Sequence, residues 1–152
     1  MYQWLSHSPK ETEELACRLA ENLRAGTVVA LFGGLGSGKT AFVRGLARGL
    51  RIDAEVSSPT FALVHEYAGN PSLIHFDMFR IETWEDLYTT GYFDYLESGV
   101  VLAVEWSENI EAALPDGAVR VCFEKTGDMQ RLIRIKGVAV DLWNPEKTPD
   151  AP

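Results

Sequence analysis

Gly33-Gly34-Leu35-Gly36-Ser37-Gly38-Lys39-Thr40 fits the G-x-x-x-x-G-K-[ST] phosphate loop at every specified position. The stretch before it, Val28-Val29-Ala30-Leu31-Phe32, is apolar and partly β-branched, as a buried parallel strand requires. After it, Phe42, Val43, Leu46, Ala47 and Leu50 recur at helical spacing. Strand, glycine loop and helix in that order predict a phosphate cradle. Glycines let successive main-chain N–H groups turn inward, and the helix adds the positive end of its dipole. Lys39 then reaches the β- and γ-phosphates, and the Thr40 hydroxyl takes one position on a Mg²⁺ ion. The competing reading, a glycine turn that binds nothing, would leave a buried lysine without an anionic partner, which is costly. The expected nucleotide contacts are therefore Gly33, Gly34, Leu35, Gly36, Ser37, Gly38, Lys39, Thr40 and the adjoining Ala41.

Working outward, 152 residues make about one ordinary domain with room for a real core. No apolar run approaches the roughly 20 residues that cross a bilayer, and Met1-Tyr2-Gln3-Trp4 does not open like a secretory signal. Cys17 and Cys122 stand alone, without C-x-x-C or a histidine cluster, so neither a disulfide framework nor a zinc site is expected. A cytoplasmic protein with reduced cysteines is the economical reading. The net charge of −8 disfavours a dedicated nucleic-acid binder, which usually carries a basic face. Any contact with nucleic acid should run through a partner.

Residues 2–5 read as a short strand. Ser8-Pro9-Lys10-Glu11 then reads as a helix start, with Ser8 as N-cap, Pro9 first and Glu11 closing a capping box. That helix should run to about Leu23. Thr12 falls on its leucine face; it either bonds back to its own helix, the favoured reading, or borders the nucleotide's base. Arg44, Arg48 and Arg51 share one face of the next helix. They read as a solvated stripe, or as a docking surface on an otherwise acidic protein.

Ser57-Ser58-Pro59-Thr60 makes a turn before a strand over residues 61–67, and Leu73-Ile74-His75-Phe76 returns as its hairpin partner. The sheet is thus expected to be mixed. Asp77 ends the return strand, with Arg80 three residues on. It is a metal or water-positioning candidate, set against a helix cap or an ion pair with Arg80. Thr83 to Leu87 starts a helix punctuated by Gly91, and Tyr92 to Leu96 forms an aromatic turn suited to packing. Val100 to Val104 is the most apolar strand and ends in Glu105, the Walker B pattern. Glu105 has the better case as metal ligand and Asp77 for handling water, although the two could exchange roles. Residues 118–123 and 131–136 form a second hairpin across Gly127-Asp128. The fold class expected is α/β: one three-layer phosphate-loop NTPase domain over residues 1–140, its mixed central sheet flanked by helices. Residues 141–152 read as a disordered tail.

Taken together, Gly33 to Thr40, Ser58-Pro59-Thr60, His75-Phe76-Asp77-x-x-Arg80 and Val104-Glu105-Trp106 resemble the bacterial TsaE family over roughly residues 8–137. Those are the ATPases of tRNA threonylcarbamoyladenosine biosynthesis. The resemblance implies ATP and Mg²⁺ as ligands, with Thr40 and Glu105 on the metal. It places Asp77 at the family's H-F-D acid, and Thr60 in a switch-like loop near the γ-phosphate. Trp106 would close over the site or pack behind it. It also implies partnership with TsaB- and TsaD-type proteins, which attach threonylcarbamoyl to tRNA while the ATPase supports or resets the assembly. Three departures stand out: Gly34 where an acid is usual, Ala41 where a second threonine is common, and Ser107 where a proline often follows.

The function expected is a Mg²⁺-dependent ATPase, slow alone because no arginine finger is evident, and activated by a partner. In it Lys39 and the metal neutralise developing charge while Asp77 or Thr60 positions water. Two other readings compete. One is a nucleotide-gated binding module with incidental hydrolysis. The other is a small-molecule kinase, against which Arg80 is the only basic residue between Met78 and Val100. A GTPase is least favoured, for want of an N-K-x-D motif.

Overall fold

The computed structural model describes residues 1–34, 36–59 and 63–138. The tail expected over 141–152 and part of the strand expected over 61–67 lie outside them. Among the described residues, seven strands form one sheet: β1 (Tyr2–Ser6), β2 (Val28–Phe32), β3 (Val64–Tyr67), β4 (Leu73–Asp77), β5 (Val101–Glu105), β6 (Val119–Lys125) and β7 (Arg131–Lys136). Their order is β1-β7-β6-β2-β5-β4-β3. The central strands β6, β2, β5 and β4 run parallel, while β7, β1 and β3 pair antiparallel at the edges. Both expected hairpins are present, and the sheet is mixed as expected.

Central strands buried on both faces need apolar residues at every position, and β2 and β5 have them except for the terminal Glu105. Alternation sends their side chains to opposite faces. Val29, Leu31, Leu73, Val101 and Ala103 meet α1 (Pro9–Ala20) and α2 (Lys39–Gly49). Val28, Ala30, Ile74, Phe76, Leu102 and Val104 pack on the other face with residues such as Leu87 of α3 (Trp84–Thr89) and Tyr92 of α4 (Tyr92–Leu96). By the same alternation His75, Asp77 and Glu105 share the α1–α2 face, the side on which α2 begins at Lys39.

The two helices on that face approach closely because α2 carries glycine at two positions one turn apart. A Cβ on Gly45 would stand 2.1 Å from the Glu13 carbonyl oxygen, and one on Gly49 2.3 Å from that of Cys17. This glycine seam had no counterpart in the sequence reading.

Three local expectations are corrected here. Helix α1 stops at Ala20 with Glu21 as C-cap, because Asn22 and Leu23 donate to carbonyls three residues back and tighten the chain out of the helix. Ser8 does cap Glu11 N–H at 3.1 Å, but the Glu11 carboxylate takes His7 N–H at 2.6 Å, so the capping box is not closed. The arginine stripe is broken as well. Arg51 lies beyond α2 with φ +62°, and Arg44 and Arg48 turn to Glu13 of α1, at 3.9 and 3.2 Å. Exposed pairs of this kind add little stability, but they tie the arginine face of α2 to α1.

Candidate functional site

The loop after β2 carries the positive backbone angles its glycines foretold: φ is +71° at Gly36 and +100° at Gly38, which is the N-cap of α2. Gly33 is needed for space. A Cβ there would meet Ser37 Oγ at 3.0 Å and Phe123 Cβ at 3.1 Å. Leu35 lies outside the described residues. Gly34 is exposed, and Ser37 is buried with an Oγ that has no hydrogen-bond partner among the described residues. Such an orphaned hydroxyl is suited to an added acceptor.

Lys39 is only 5% exposed. Its Nζ donates to the Gly33 carbonyl at 2.6 Å and lies 4.1 Å from the centre of the Trp106 ring, a cation–π distance. Burial pushes the Lys39 pKa down, and the carboxylates of Glu105, Glu108 and Asp77 oppose that shift. A desolvated ammonium among acids marks a prepared electrostatic site.

Asp77 and Glu105 are register partners at the ends of adjacent parallel strands, and each is 5% exposed. Asp77 Oδ1 accepts from Phe79 N–H at 2.9 Å, fixing the turn that leaves β4. Asp77 therefore caps a turn and not a helix. Glu105 Oε2 meets His75 Nε2 at 2.5 Å. Trp106 follows with φ +56°, its ring against Phe79 at 4.9 Å between centroids. It is a side wall of the site, in contact with the lysine.

These groups converge on one cavity of about 440 Å³, a size usual for small-molecule sites. Gly36, Ser37, Gly38, Lys39, Thr40 and Ala41 line it, with Asp77, Glu105 and Trp106 opposite. The start of α1 closes another side, and there Thr12 is found. Its hydroxyl pairs with Ser6 Oγ of β1 at 2.7 Å, which corrects the favoured reading of a bond to its own helix. Tucked against β1, the hydroxyl reaches across to the strand. Ser58 also lines the cavity, but Thr60 lies outside the described residues.

The sequence reading missed Arg131, which also lines the cavity. Its Nη2 donates to the Gly36 carbonyl at 2.9 Å, and Nη1 donates to the carbonyls of Gly127, Asp128 and Gln130 at 3.0–3.2 Å. An arginine therefore stands at the phosphate loop, held by main-chain carbonyls. With its guanidinium spread over four carbonyls, it braces the loop against the β6–β7 turn. Only the pairing of β7 into the sheet brings it there, and no local motif announces it. Glu108 was missed too; its Oε2 accepts from Gly33 N–H at 3.3 Å.

The donor set fits the expected ligands. Main-chain amides and a buried ammonium suit phosphate oxygens. The Thr40 hydroxyl and Glu105 carboxylate are hard oxygens of the kind Mg²⁺ accepts. No group of three His, Cys, Asp or Glu clusters for a metal among the described residues. Mg²⁺ on a nucleotide needs only one or two protein ligands, the phosphates supplying others. No helix among these residues is long and apolar enough to cross a membrane.

A glycine cradle at the end of a central parallel strand, with acids ending the neighbouring strands, defines the phosphate-loop NTPase class of fold. A family model described as threonylcarbamoyl adenosine biosynthesis protein TsaE matches residues 6–133. This chain belongs to the TsaE family. It is 35% identical over 131 residues to the protein of Treponema pallidum named tRNA threonylcarbamoyladenosine biosynthesis protein TsaE, covering 86% of this chain and 97% of that one. To the Bacillus subtilis protein of the same name it is 38% identical over 138 residues, covering 90% and 85%. The crystal structure of Bacillus subtilis YdiB superimposes with a TM-score of 0.76 at 32% identity, covering 93% of this chain and 88% of that one.

Proposed function

We propose that this chain is a Mg²⁺-dependent ATPase subunit acting in the cytoplasm in the formation of threonylcarbamoyladenosine on tRNA. It works with TsaB- and TsaD-type partner proteins, supporting or resetting them, and meets tRNA through them. The observation that carries the reading is Lys39: a buried ammonium at the phosphate loop, faced by the strand-end acids Asp77 and Glu105. Relatives named for tRNA threonylcarbamoyladenosine biosynthesis support the pathway.

In this reading the loop amides and Lys39 hold the phosphate tail, and Thr40 and Glu105 hold the metal. The metal, when bound, neutralises charge developing on the transferred phosphoryl group. Asp77 orients the attacking water. Trp106 shields Lys39 from solvent on one side, which strengthens its attraction to phosphate.

Titration of the pure protein with ATP and Mg²⁺ in a calorimeter tests the first half. Binding should be measurable for the wild type and lost in Lys39→Ala. Absence of a response from well-folded wild type would end the nucleotide reading. The second half is tested by tRNA nucleoside analysis in a strain depleted of the protein. Threonylcarbamoyladenosine should fall there, return with the wild-type chain, and stay low with Lys39→Ala.

A further inference from the structure

His75 is the most completely buried ionisable side chain near the site, with 0% exposure. It sits on β4 opposite Ala103 of β5, so its ring lies two residues before Glu105 along the neighbouring strand, on the same face. From there Nε2 reaches Glu105 Oε2 at 2.5 Å. A carboxylate only accepts, so Nε2 carries the hydrogen in this contact. Nδ1 is buried with no hydrogen-bond partner among the described residues. In the Nε2–H tautomer that atom is a bare lone pair. In the other tautomer, Nδ1–H would be an orphaned buried donor and two lone pairs would face each other at Glu105.

We propose that His75 is a positioning residue for Glu105: its Nε2–H holds one carboxylate oxygen so that the other is presented to the metal beside Thr40. The inference rests on the reading of Glu105 as a metal ligand and adds a partner that fixes its geometry. A glutamate has three side-chain torsions, and the nearby Lys39 ammonium attracts its carboxylate in another direction. A hydrogen bond from a fully buried ring selects one of those arrangements. Partners that orient a metal-binding group in this way are worth about 10–100-fold in metal affinity.

The test uses the full chain and a fluorescent ATP analogue, measuring its affinity in Mg²⁺ and in EDTA. The ratio of the two affinities reports metal coupling without hydrolysis. Glu105→Gln should lose the coupling. His75→Leu should reduce it by about 10–100-fold while the EDTA affinity stays near wild type. His75→Gln, whose amide can donate from a similar place, should recover most of it. If the wild type shows no coupling, or Glu105→Gln keeps it, the assignment of the metal to Glu105 fails and this inference fails with it. If Glu105→Gln loses coupling but His75→Leu keeps the wild-type ratio, the positioning role alone is overturned. Should His75→Leu not fold, nitrogen-15 NMR of the wild-type imidazole decides: a hydrogen on Nε2 supports the proposal, and a bare Nε2 overturns it.

Discussion

The ends of β4 and β5 carry two acids that are neighbours in register and equally buried, yet they are held in different ways. Asp77 is tied forward, to the N–H of Phe79 in the turn that follows its strand. Glu105 is tied sideways, to a buried histidine on the adjacent strand. The chain leaves the two strands differently as well. After Asp77 a side chain caps the turn; after Glu105 the backbone itself turns, at Trp106 with φ +56° and no side-chain cap. Ser107 then donates its hydroxyl to the Val104 carbonyl at 2.7 Å. Burial alone does not separate the roles of two carboxylates. Their hydrogen-bond partners do, by deciding which oxygens remain available to a ligand.

The largest expected effect breaks or keeps that distinction directly. Glu105→Gln should abolish Mg²⁺-stimulated ATP hydrolysis, a loss of roughly 100-fold or more, because a metal supplies several kcal/mol of charge stabilisation. Asp77→Asn should also slow turnover, but should leave the Mg²⁺ concentration for half-maximal rate within about 3-fold of wild type. Phosphate release measured across a Mg²⁺ series checks both. Equal shifts in metal dependence would mean that the two acids share the metal, and the contrast between them would collapse.

A smaller effect is expected one residue beyond β5. Trp106 has a left-handed backbone, which costs a residue with a Cβ about 1–2 kcal/mol. Trp106→Ala and Trp106→Gly both remove the ring that lies against Lys39, so nucleotide affinity should fall by a similar factor in each. Their stabilities should differ: the glycine variant should be the more stable by about 1 kcal/mol in urea unfolding. Identical midpoints would mean that the turn after β5 relaxes once the ring is gone.

Much of this arrangement was legible in the sequence, where the information was local. The phosphate loop, the apolar strands and the terminal Asp77 and Glu105 each show in a run of a few residues, because main-chain conformation and burial on both faces restrict residue types at neighbouring positions. What escaped depended on pairing across the sheet. Arg131 reaches Gly36 only because β7 is paired antiparallel with β6, which runs beside β2. His75 in the sequence is one polar residue in an apolar strand; its meaning comes from the register that places it beside Glu105. Thr12 was legible as an odd hydroxyl on a leucine face, but its partner Ser6 belongs to another element. Gly45 and Gly49 likewise look like weak points in a helix until α1 crosses them. Residue types at a site can be read one segment at a time, whereas the contacts that orient them require the topology.

The smallest expected effect isolates what Asp77 does for its own turn, apart from any ligand. Asp77 Oδ1 accepts one main-chain N–H, and an asparagine places an amide oxygen in the same position. Asp77→Asn should therefore keep the turn, whereas Asp77→Ala strands the Phe79 N–H and should cost roughly 0.5–1.5 kcal/mol. Electrostatics act separately, since either change removes a negative charge that attracts the Lys39 ammonium. The Asn-to-Ala difference cancels that common charge term and leaves the hydrogen bond. Urea denaturation of the two variants in EDTA, without nucleotide, measures that difference. If Asn and Ala unfold at the same midpoint, Asp77 does not hold the turn after β4, and its buried carboxylate is kept for ligand chemistry alone. If Asn is the more stable by the expected margin, Asp77 has a structural duty at the end of β4, whereas at the end of β5 the bend lies at Trp106 and leaves Glu105 to its histidine.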